Sequence, residues 1–400
     1  MDEELLKQKV IRPVSDRELE RRWRAVRKVM EEKKVDFVVA QSTNDYLGGY
    51  VKWFTDEPAM HHYPATVIFP RAEEMTTIFH GSSDPSQASP PAWALRGVRK
   101  RLSAPVMPSL NYACALDAEK AVEELAPSRS CRVCLLNEGG MTAGFSKYLR
   151  EHLTGAVFVD ITEEIDWVKA IKSAEEIERI KENAWLHDEA MKACFEAIRP
   201  GVRDFEIAAA GRSRCLELGS EQQIIFVGSG PAGTPVPFNL PHAMNREIRK
   251  GDQVGILIEV NDASGYYTHL YRMACVERIP EELEREYEVA REAQNLTLSM
   301  VKPGAGPLEC LRANNEFLRS RGYPIETRIY AHGQGYDMVE RPSFQPGETM
   351  KIAEGMNVSV HPGVAGKKAF AMITDNYIVT KTGVSECIHQ TPKQVFLIKP

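Results

Sequence analysis

The sequence predicts an α/β domain followed by a second domain in which a unit of helices and strands is duplicated. Three observations support this fold class. The chain has 400 residues, more than the roughly 250–300 at which a single hydrophobic core stops growing. Helical and short apolar segments alternate up to residue 168, and the pattern changes near residue 170. Beyond that point, similar features recur 103 residues apart (304 − 201 = 103). We therefore expect domains at 1–168 and 169–400.

The first domain begins with a helix and continues with short strands. Residues 17–33 have a helical period with a basic outer face, and the following VDFVVAQS is typical of a buried strand. Further β-rich segments occur at ATVIFP, TTIFHG and CRVCLLNE, separated by loops rich in proline and serine. This order indicates an α/β domain.

A long helix is predicted to open the second domain. Ser173 and Glu176 fit a capping box at its start, and Pro200-Gly201 ends it. One apolar stripe runs along it, formed by Ile177, Ile180, Ala184, Met191, Phe195 and Ile198.

The second domain repeats itself. In its first half, a helix from about Asp204 to Gly219 follows Pro200-Gly201, and β-rich sequence continues to Gly230. The second half has corresponding features at Pro303-Gly304, Gly322 and Gly333. Such a duplication predicts pseudo-twofold symmetry, with a site between the halves where strands of both bring side chains together.

Composition and charge exclude several function classes. With 43% apolar residues, 26% charged residues and a net charge of −6, the chain has the composition of a globular protein without a polyanion-binding face. We expect no nucleic-acid partner. The start MDEELLKQKV lacks the pattern of a signal peptide, and no run of about 18 apolar residues occurs. These features predict a cytoplasmic protein that does not bind membranes.

The cysteines are expected to be reduced and structural. Eight in 400 residues are too few for a disulfide scaffold. Cys131 and Cys134 form a Cys-x-x-Cys pair, but they lie in a predicted strand, where residues three apart point to opposite faces. The two sulfurs are therefore not expected to share a metal.

Four of the ten histidines lie in strand-like segments of the duplicated domain: His242, His269, His332 and His361. Histidines that converge from both halves indicate a metal centre or an acid–base centre. Glu259 adds a carboxylate inside the apolar strand VGILIEVND, where an unpaired charge would be costly, so it needs a partner.

Several segments in order resemble the family of creatinase, prolidase and aminopeptidase P. They are STNDYLGGY, AIKSAEEIERIKENA at the domain junction, GDQVGILIEVNDASGYYTHLYRM, HGQGYDMVERP and GMNVSVHPG. The resemblance covers almost the whole chain. It implies a creatinase-like N-terminal α/β domain followed by a pseudo-twofold α+β domain with the pita-bread fold.

The resemblance also implies a metal site, but the ligand positions depart from the family's pattern. Dinuclear members bind two divalent ions through Asp, Asp, His, Glu and Glu. The corresponding residues here are Glu259, His269, His332, His361 and Thr374. Only His332 is retained, and both bridging positions, His269 and Thr374, lack a carboxylate. We therefore expect no dinuclear centre.

The remaining residues favour one ion. The resemblance places His269, His332 and His361 around the same ion position. Three imidazoles with an open fourth position are typical of a catalytic zinc site, or of an iron or manganese site if Glu259 joins as a ligand. The alternative is a site that has lost its metal, as in creatinase, with the histidines binding substrate.

Two further positions bear on the reaction. His242 lies 17 residues before Glu259 (259 − 242 = 17) and matches the family histidine that transfers protons. Val339 occupies the place of a histidine that peptidase members use near the scissile amide, so cleavage of Xaa-Pro peptides is not expected. Glu340, beside it, is a candidate catalytic residue.

Other residues are candidates for supporting or substrate-binding roles. Arg272 and Asp375 match positions that support the metal ligands, and Arg272 is also a candidate substrate contact. Family members are commonly homodimers in which an N-terminal loop reaches the partner's site, so a homodimer is expected here. Candidate substrate contacts of that kind are Trp53, His61, His62 and Tyr63.

The sequence thus predicts a hydrolase that cleaves a C–N bond in a small polar metabolite, with one divalent ion, zinc, iron or manganese. His242 would transfer protons, and Glu259 would be a fourth ligand or the general base. Three alternatives remain open. They are a metal-free hydrolase like creatinase or ectoine hydrolase, with His242 and Glu259 as its acid–base pair; a lyase like those acting on dimethylsulfoniopropionate; and a non-catalytic protein that binds a ligand or another protein.

Overall fold

The computed structural model describes residues 12–42, 49–58, 63–82, 90–107, 116–126, 130–236 and 238–399. The contacts between Cα atoms divide these residues into two compact units. The first unit contains residues 13–169, and the second contains Arg12 with residues 170–399. Among the described residues, no helix combines the length and apolar character needed to cross a membrane.

The first unit is built on a six-stranded sheet in the order β4-β3-β2-β1-β5-β6. The strands are β1 (Phe37–Ser42), β2 (Ala65–Pro70), β3 (Met75–His80), β4 (Val98–Ala104), β5 (Arg132–Leu136) and β6 (Val157–Phe158). The helices are α1 (Asp16–Lys33), α2 (Gly49–Thr55), α3 (Leu116–Leu125), α4 (Ala143–His152) and α5 (Thr162–Ala170), which ends at the unit boundary. The pattern of alternating helices and strands confirms an α/β fold for this part of the chain.

The predicted elements of the first unit form, but the sequence missed two strands, β4 and the two-residue β6. The four β-rich segments become β1, β2, β3 and β5, and the helix expected at 17–33 is α1, whose N-cap Ser15 accepts a hydrogen bond from the Glu18 N–H. The longer of the two is β4, with the sequence VRKRLSA. It lies at the sheet edge, paired only with β3, so its basic side chains remain at least partly exposed and leave no apolar signal.

The second unit contains four helices and ten strands among the described residues. The helices are α6 (Ala174–Ala197), α7 (Asp204–Glu217), α8 (Glu281–Met300) and α9 (Pro307–Ser320). The strands are β7 (Gln223–Pro231), β8 (Asp252–Asn261), β9 (Tyr267–Val276), β10 (Ala331–Gly333), β11 (Glu340–Ser343), β12 (Asn357–Val360), β13 (Gly363–Ala365), β14 (Phe370–Met372), β15 (Asp375–Ile378) and β16 (Val395–Ile398). The capping box of Ser173 and Glu176 is present at the start of α6.

The duplication is visible in the backbone itself. Gly201 and Gly304 both have positive φ angles, of 92° and 87°. Each donates its N–H to a carbonyl about 48 residues further on, that of Ile248 at 2.9 Å and that of Ile352 at 2.8 Å. Glycine adopts this conformation without the steric penalty that a Cβ brings. The repeat seen in the sequence is therefore a repeat of structure.

Each half contributes a four-stranded sheet. The first has the order β16-β9-β8-β7 and the second the order β11-β10-β12-β15, with β13 and β14 as a separate ribbon. An isolated bridge between Tyr271 and Thr374 joins β9 to the segment before β15. The long hairpin of β8 and β9 is closed by a turn in which the Asp262 carboxylate accepts hydrogen bonds from the Ser264 and Tyr266 N–H groups. The two halves meet where these central strands lie.

Candidate metal centre

Three histidines converge on the strands of the two halves. His269 lies on β9, His332 lies on β10, and His361 directly follows β12. The N–H of His361 donates to the Tyr330 carbonyl at 2.7 Å, which places His361 beside the start of β10. The ring centroids are 5.0 to 6.3 Å apart, and one nitrogen from each ring lies within 4.8 Å of the others. The three side chains form a group that can hold one metal ion.

The hydrogen bonds indicate which nitrogens face the common space. Nδ1 of His332 lies 2.9 Å from the Gly333 carbonyl, and Nδ1 of His269 lies 3.4 Å from the Ser359 hydroxyl. Nε2 of His269 and Nε2 of His361 are buried and have no hydrogen-bond partner among the described residues. Buried polar atoms normally have a partner. The Nε2 atoms are therefore the natural metal ligands.

The protonation states suit metal binding. Burial lowers the pKa of His269 and of His361 well below the usual value, and it lowers the pKa of His332 to about 4. All three rings are neutral at pH 7 and carry a free lone pair on one nitrogen. Zinc binds histidine nitrogens at about 2.0–2.1 Å, so modest side-chain movements would bring the three nitrogens to one ion. The residues present fit a divalent ion.

Glu259 lies beside the histidines but outside their group of ligand atoms. It pairs with His269 across the hairpin, and its Oε1 is 3.6 Å from His269 Nδ1. Its side chain is buried, which raises the pKa of Glu259 to about 8. This carboxyl group faces Nδ1 of His269, whereas Nε2 of the same ring has no partner among the described residues. The role predicted for Glu259, as a fourth ligand or a general base, stays a prediction.

A network of buried amides holds Glu259 in place, and the sequence analysis missed it. Gln334 donates from Nε2 to Glu259 Oε1 at 2.7 Å and accepts at Oε1 from Asn376 Nδ2 at 2.8 Å. Asn376 also donates to Asn357 Oδ1 at 3.0 Å and accepts the backbone N–H of His269 at 2.8 Å. The sequence signal that could have revealed this network is the presence of amide side chains in, or directly after, short buried strands. The network links strands of both halves around the histidines.

Arg272 is corrected from a substrate contact to a structural anchor. It is fully buried, and its Nη2 donates to Asp375 Oδ1 at 2.6 Å. The guanidinium also donates to the backbone carbonyls of Tyr271, Thr374, Thr391 and Pro392. These five bonds use every nitrogen of the side chain, which leaves no edge for substrate. Thr374, at the lost ligand position, has a buried hydroxyl without a partner among the described residues.

Glu340 and His242 lie in different environments. Glu340 forms a buried ion pair with Lys172 at 2.6 Å, and its other oxygen accepts the Asp337 N–H. Lys172 engages its carboxylate, and the predicted catalytic role of Glu340 stays a prediction. His242 is exposed on a short 3-10 helix, Pro241–Ala243, and makes no hydrogen bond with the described residues. Its role in proton transfer stays a prediction.

The predicted N-terminal substrate contacts divide into three cases. Trp53 lies on α2 and is 1% exposed, with the Arg22 guanidinium 5.6 Å from its ring. A buried ring cannot reach substrate, so Trp53 is corrected to a core residue of the first unit. Tyr63 is half-buried and stacks on His80 at 4.0 Å, and its proposed contact stays a prediction. His61 and His62 lie outside the described residues.

Comparisons with known proteins agree with this architecture. An Xaa-Pro dipeptidase from Pyrococcus furiosus is 27% identical, over 62% of this chain and 71% of its own. The uncharacterized peptidase YqhT of Bacillus subtilis is 24% identical, over 65% and 74% of the two chains. The crystal structure of dipeptidase PepE from Mycobacterium ulcerans superposes with a TM-score of 0.76 at 18% identity, covering 97% of this chain and all of the other. That likeness confirms the pita-bread fold.

The family model described as metallopeptidase family M24 matches residues 178–381. This span is about half of the chain and includes Glu259 and all three histidines. Within this span, His269, His332 and His361 form a group that could hold the divalent metal of a metallopeptidase. The chain therefore belongs to metallopeptidase family M24.

Proposed function

We propose that this protein is a hydrolase that uses one divalent metal ion to cleave a C–N bond in a small polar compound. The observation that carries the proposal is the convergence of three buried, neutral histidines, each with one ring nitrogen within 4.8 Å of a ring nitrogen of the other two. Three histidines and an open position form the ligand set of hydrolytic zinc sites.

Two features support a single ion. The positions that resemble bridging carboxylates hold His269 and Thr374, and an imidazole nitrogen has one lone pair to offer. Glu259 faces the Nδ1 atom of His269 and is not part of the group of ligand atoms that lie within 4.8 Å of one another. No carboxylate of the set is therefore placed to hold two ions together.

The chain's own residues prepare the site for hydrolysis. A bound divalent ion would polarise a carbonyl group and lower the pKa of a bound water towards about 7. Glu259 and Ser359 face Nδ1 of His269 and fix the ring so that Nε2 points to the ion. Gln334 in turn fixes Glu259. His242, exposed in the same unit, is the proposed proton donor to the leaving nitrogen.

The proposed substrate is not an Xaa-Pro peptide, although curated relatives carry the name Xaa-Pro dipeptidase. Val339 stands where the resemblance places a histidine near the scissile amide, and it cannot donate a hydrogen bond there. Glu340, the next residue, is engaged by Lys172. These two differences support a different compound with a C–N bond.

Metal analysis tests the number of ions. Purified protein is loaded with zinc, dialysed and analysed by inductively coupled plasma mass spectrometry. We expect one zinc per chain in the wild type and in His152→Ala, which changes an exposed histidine of α4. His361→Ala is expected to lose stoichiometric zinc. Two ions per chain, or retention of zinc by His361→Ala, would contradict the single-ion site.

Substrate profiling in ¹⁸O-labelled water tests the reaction. Xaa-Pro dipeptides are compared with N-acyl and N-carbamoyl compounds, and the products are examined by mass spectrometry. We expect cleavage of a compound outside the Xaa-Pro set, with ¹⁸O in the product and loss of activity upon chelation. Preferred cleavage of Xaa-Pro dipeptides would overturn the proposed substrate. A product without ¹⁸O would indicate a lyase, and activity that survives chelation would indicate a metal-free hydrolase.

A further inference from the structure

Arg328 lies near the histidines and takes no part in the proposed hydrolysis. Arg328 lies four residues before His332, in the segment between α9 and β10. Its Nε donates to Glu326 Oε1 at 3.0 Å, and its Nη2 donates to Glu326 Oε2 at 2.5 Å. The Glu326 side chain is 5% exposed, whereas that of Arg328 is 39% exposed. A buried carboxylate thus fixes one edge of a guanidinium that solvent can reach.

The opposite edge of this guanidinium keeps donors for a ligand. Arginine has five N–H groups in a planar fork. Glu326 takes one from Nε and one from Nη2, and Nη1 donates weakly to the Met372 sulfur at 3.4 Å. One N–H on Nη1 and one on Nη2 remain, side by side. Two parallel donors of this kind match a planar carboxylate.

The ribbon of β13 and β14 places Arg328 near the histidines. Gly363 and Met372 are direct partners in this ribbon, and a Cβ on Gly363 would lie 2.7 Å from Arg328 Nη2. The guanidinium therefore lies against this pair. His361 precedes Gly363 by two residues, and Thr374 follows Met372 by two. Two residues of extended chain span about 7 Å, which a small molecule bound at the histidines can bridge.

Buried polar atoms without partners flank the same ribbon. Nε2 of His361, two residues before Gly363, is buried and has no partner among the described residues. The Thr374 hydroxyl, two residues after Met372, is likewise buried without a partner among the described residues. A cation beside unpaired polar groups suits an anionic ligand.

We propose that Arg328 binds a carboxylate of the substrate, through the guanidinium edge that faces away from Glu326. The compound cleaved at the three-histidine site is then an organic acid whose carboxylate lies a few bonds from its C–N bond. The inference depends on the proposed function for the reaction, but the binding of the carboxylate is independent of it. Gly363 is required because a side chain there would occupy the place of the guanidinium tip.

Calorimetric titration of the metal-free protein tests this inference. The probes are N-acetylglycine and N-acetylglycinamide, which differ in the carboxylate alone. The metal is removed because a bound ion would itself attract the carboxylate. We expect the wild type to bind the acid at least tenfold more tightly than the amide, and Arg328→Met to bind both with equal affinity. Equal affinity in the wild type, or a preference that persists in Arg328→Met, would overturn the inference.

A second variant separates carboxylate binding from damage to the fold. Arg328→Met leaves Glu326 buried without its partner, whereas Gly363→Ala keeps both charges and displaces only the end of a flexible side chain. We expect Gly363→Ala to lose the preference as well, and Arg312→Met, at an exposed position of α9, to keep it. Retention of the full preference in Gly363→Ala would contradict the placement. A protein that binds the acid but hydrolyses nothing would reject the proposed function and leave this inference standing.

Discussion

Asp375 and Glu286 are both buried carboxyl groups, and they differ in what faces them. Asp375 lies 2.6 Å from the Arg272 guanidinium, which overcomes the effect of burial and holds the pKa of Asp375 below its usual value. Glu286, on α8, has a buried Oε2 without a partner among the described residues, and burial raises the pKa of Glu286 to about 7. The ionised carboxyl group of Asp375 therefore stabilises the fold, whereas ionisation of the Glu286 carboxyl group destabilises it.

We expect Arg272→Met to lower the free energy of unfolding by about 3–5 kcal/mol, because it leaves the Asp375 charge buried and unpaired. Urea denaturation followed by circular dichroism measures the change. The double variant Arg272→Met/Asp375→Leu should recover part of the loss. The exposed pair of Lys181 and Glu178 provides the control, since Lys181→Ala should change stability by less than about 1 kcal/mol. A loss below 1 kcal/mol in Arg272→Met would contradict the role of anchor.

Glu286→Gln should stabilise the protein at pH 8 more than at pH 5. The folded-state pKa of Glu286, about 7, exceeds the value of 4.5 for an unperturbed glutamate. Between these values the folded state holds a proton that the unfolded state has lost, so this group's contribution to stability falls as pH rises through 7. Glutamine has the shape of the protonated group and does not ionise. Melting temperatures across pH 5 to 8 test this, and a difference independent of pH would count against it.

At the scale of elements, the sequence predicted the helices, strands and caps that depend on interactions between residues close in the chain. The capping box of α6, the four apolar strands of the first unit and the helices of the repeat all form. These features depend on residues a few positions apart. The edge strand β4 and the short helix α2 were not foreseen, because their sequences, VRKRLSA and GYVKWFT, carry no clear period. Their formation depends on partners that are distant in the sequence.

The repeat gives a matched test of backbone strain. No atom lies within 4 Å of a Cβ placed on Gly201 or Gly304, and both have positive φ. We expect alanine at either position to cost about 1–2 kcal/mol, because only the left-handed conformation is penalised. The two losses should be similar, as measured by denaturation. Gly383→Ala, in equally open space without a positive φ, should be close to neutral. Unequal losses would mean that the two turns are not equivalent.

At the scale of the whole molecule, the convergence of the three histidines could be predicted, but their surroundings could not. The order of motifs, through the family resemblance, placed His269, His332 and His361 together. The amide network around Gln334 and the ion pair of Lys172 with Glu340 depend on which strands lie side by side, at separations of up to 168 residues. A one-residue change of register would turn these side chains to the other face. Pairing at such distances is a property of the folded chain.

Because the histidines converge only in the folded chain, metal binding should be linked to stability. A ligand at 100 times its Kd that binds only the folded state adds about 2.7 kcal/mol. For a unit of about 230 residues this corresponds to a rise in Tm of roughly 5–10 °C. Differential scanning calorimetry of metal-free protein with added zinc measures the shift. The shift should vanish in His361→Ala and persist in His152→Ala. If the Tm of His361→Ala rose as much as that of the wild type, zinc would be binding elsewhere on the protein, and the three histidines would not be the site that links metal binding to folding.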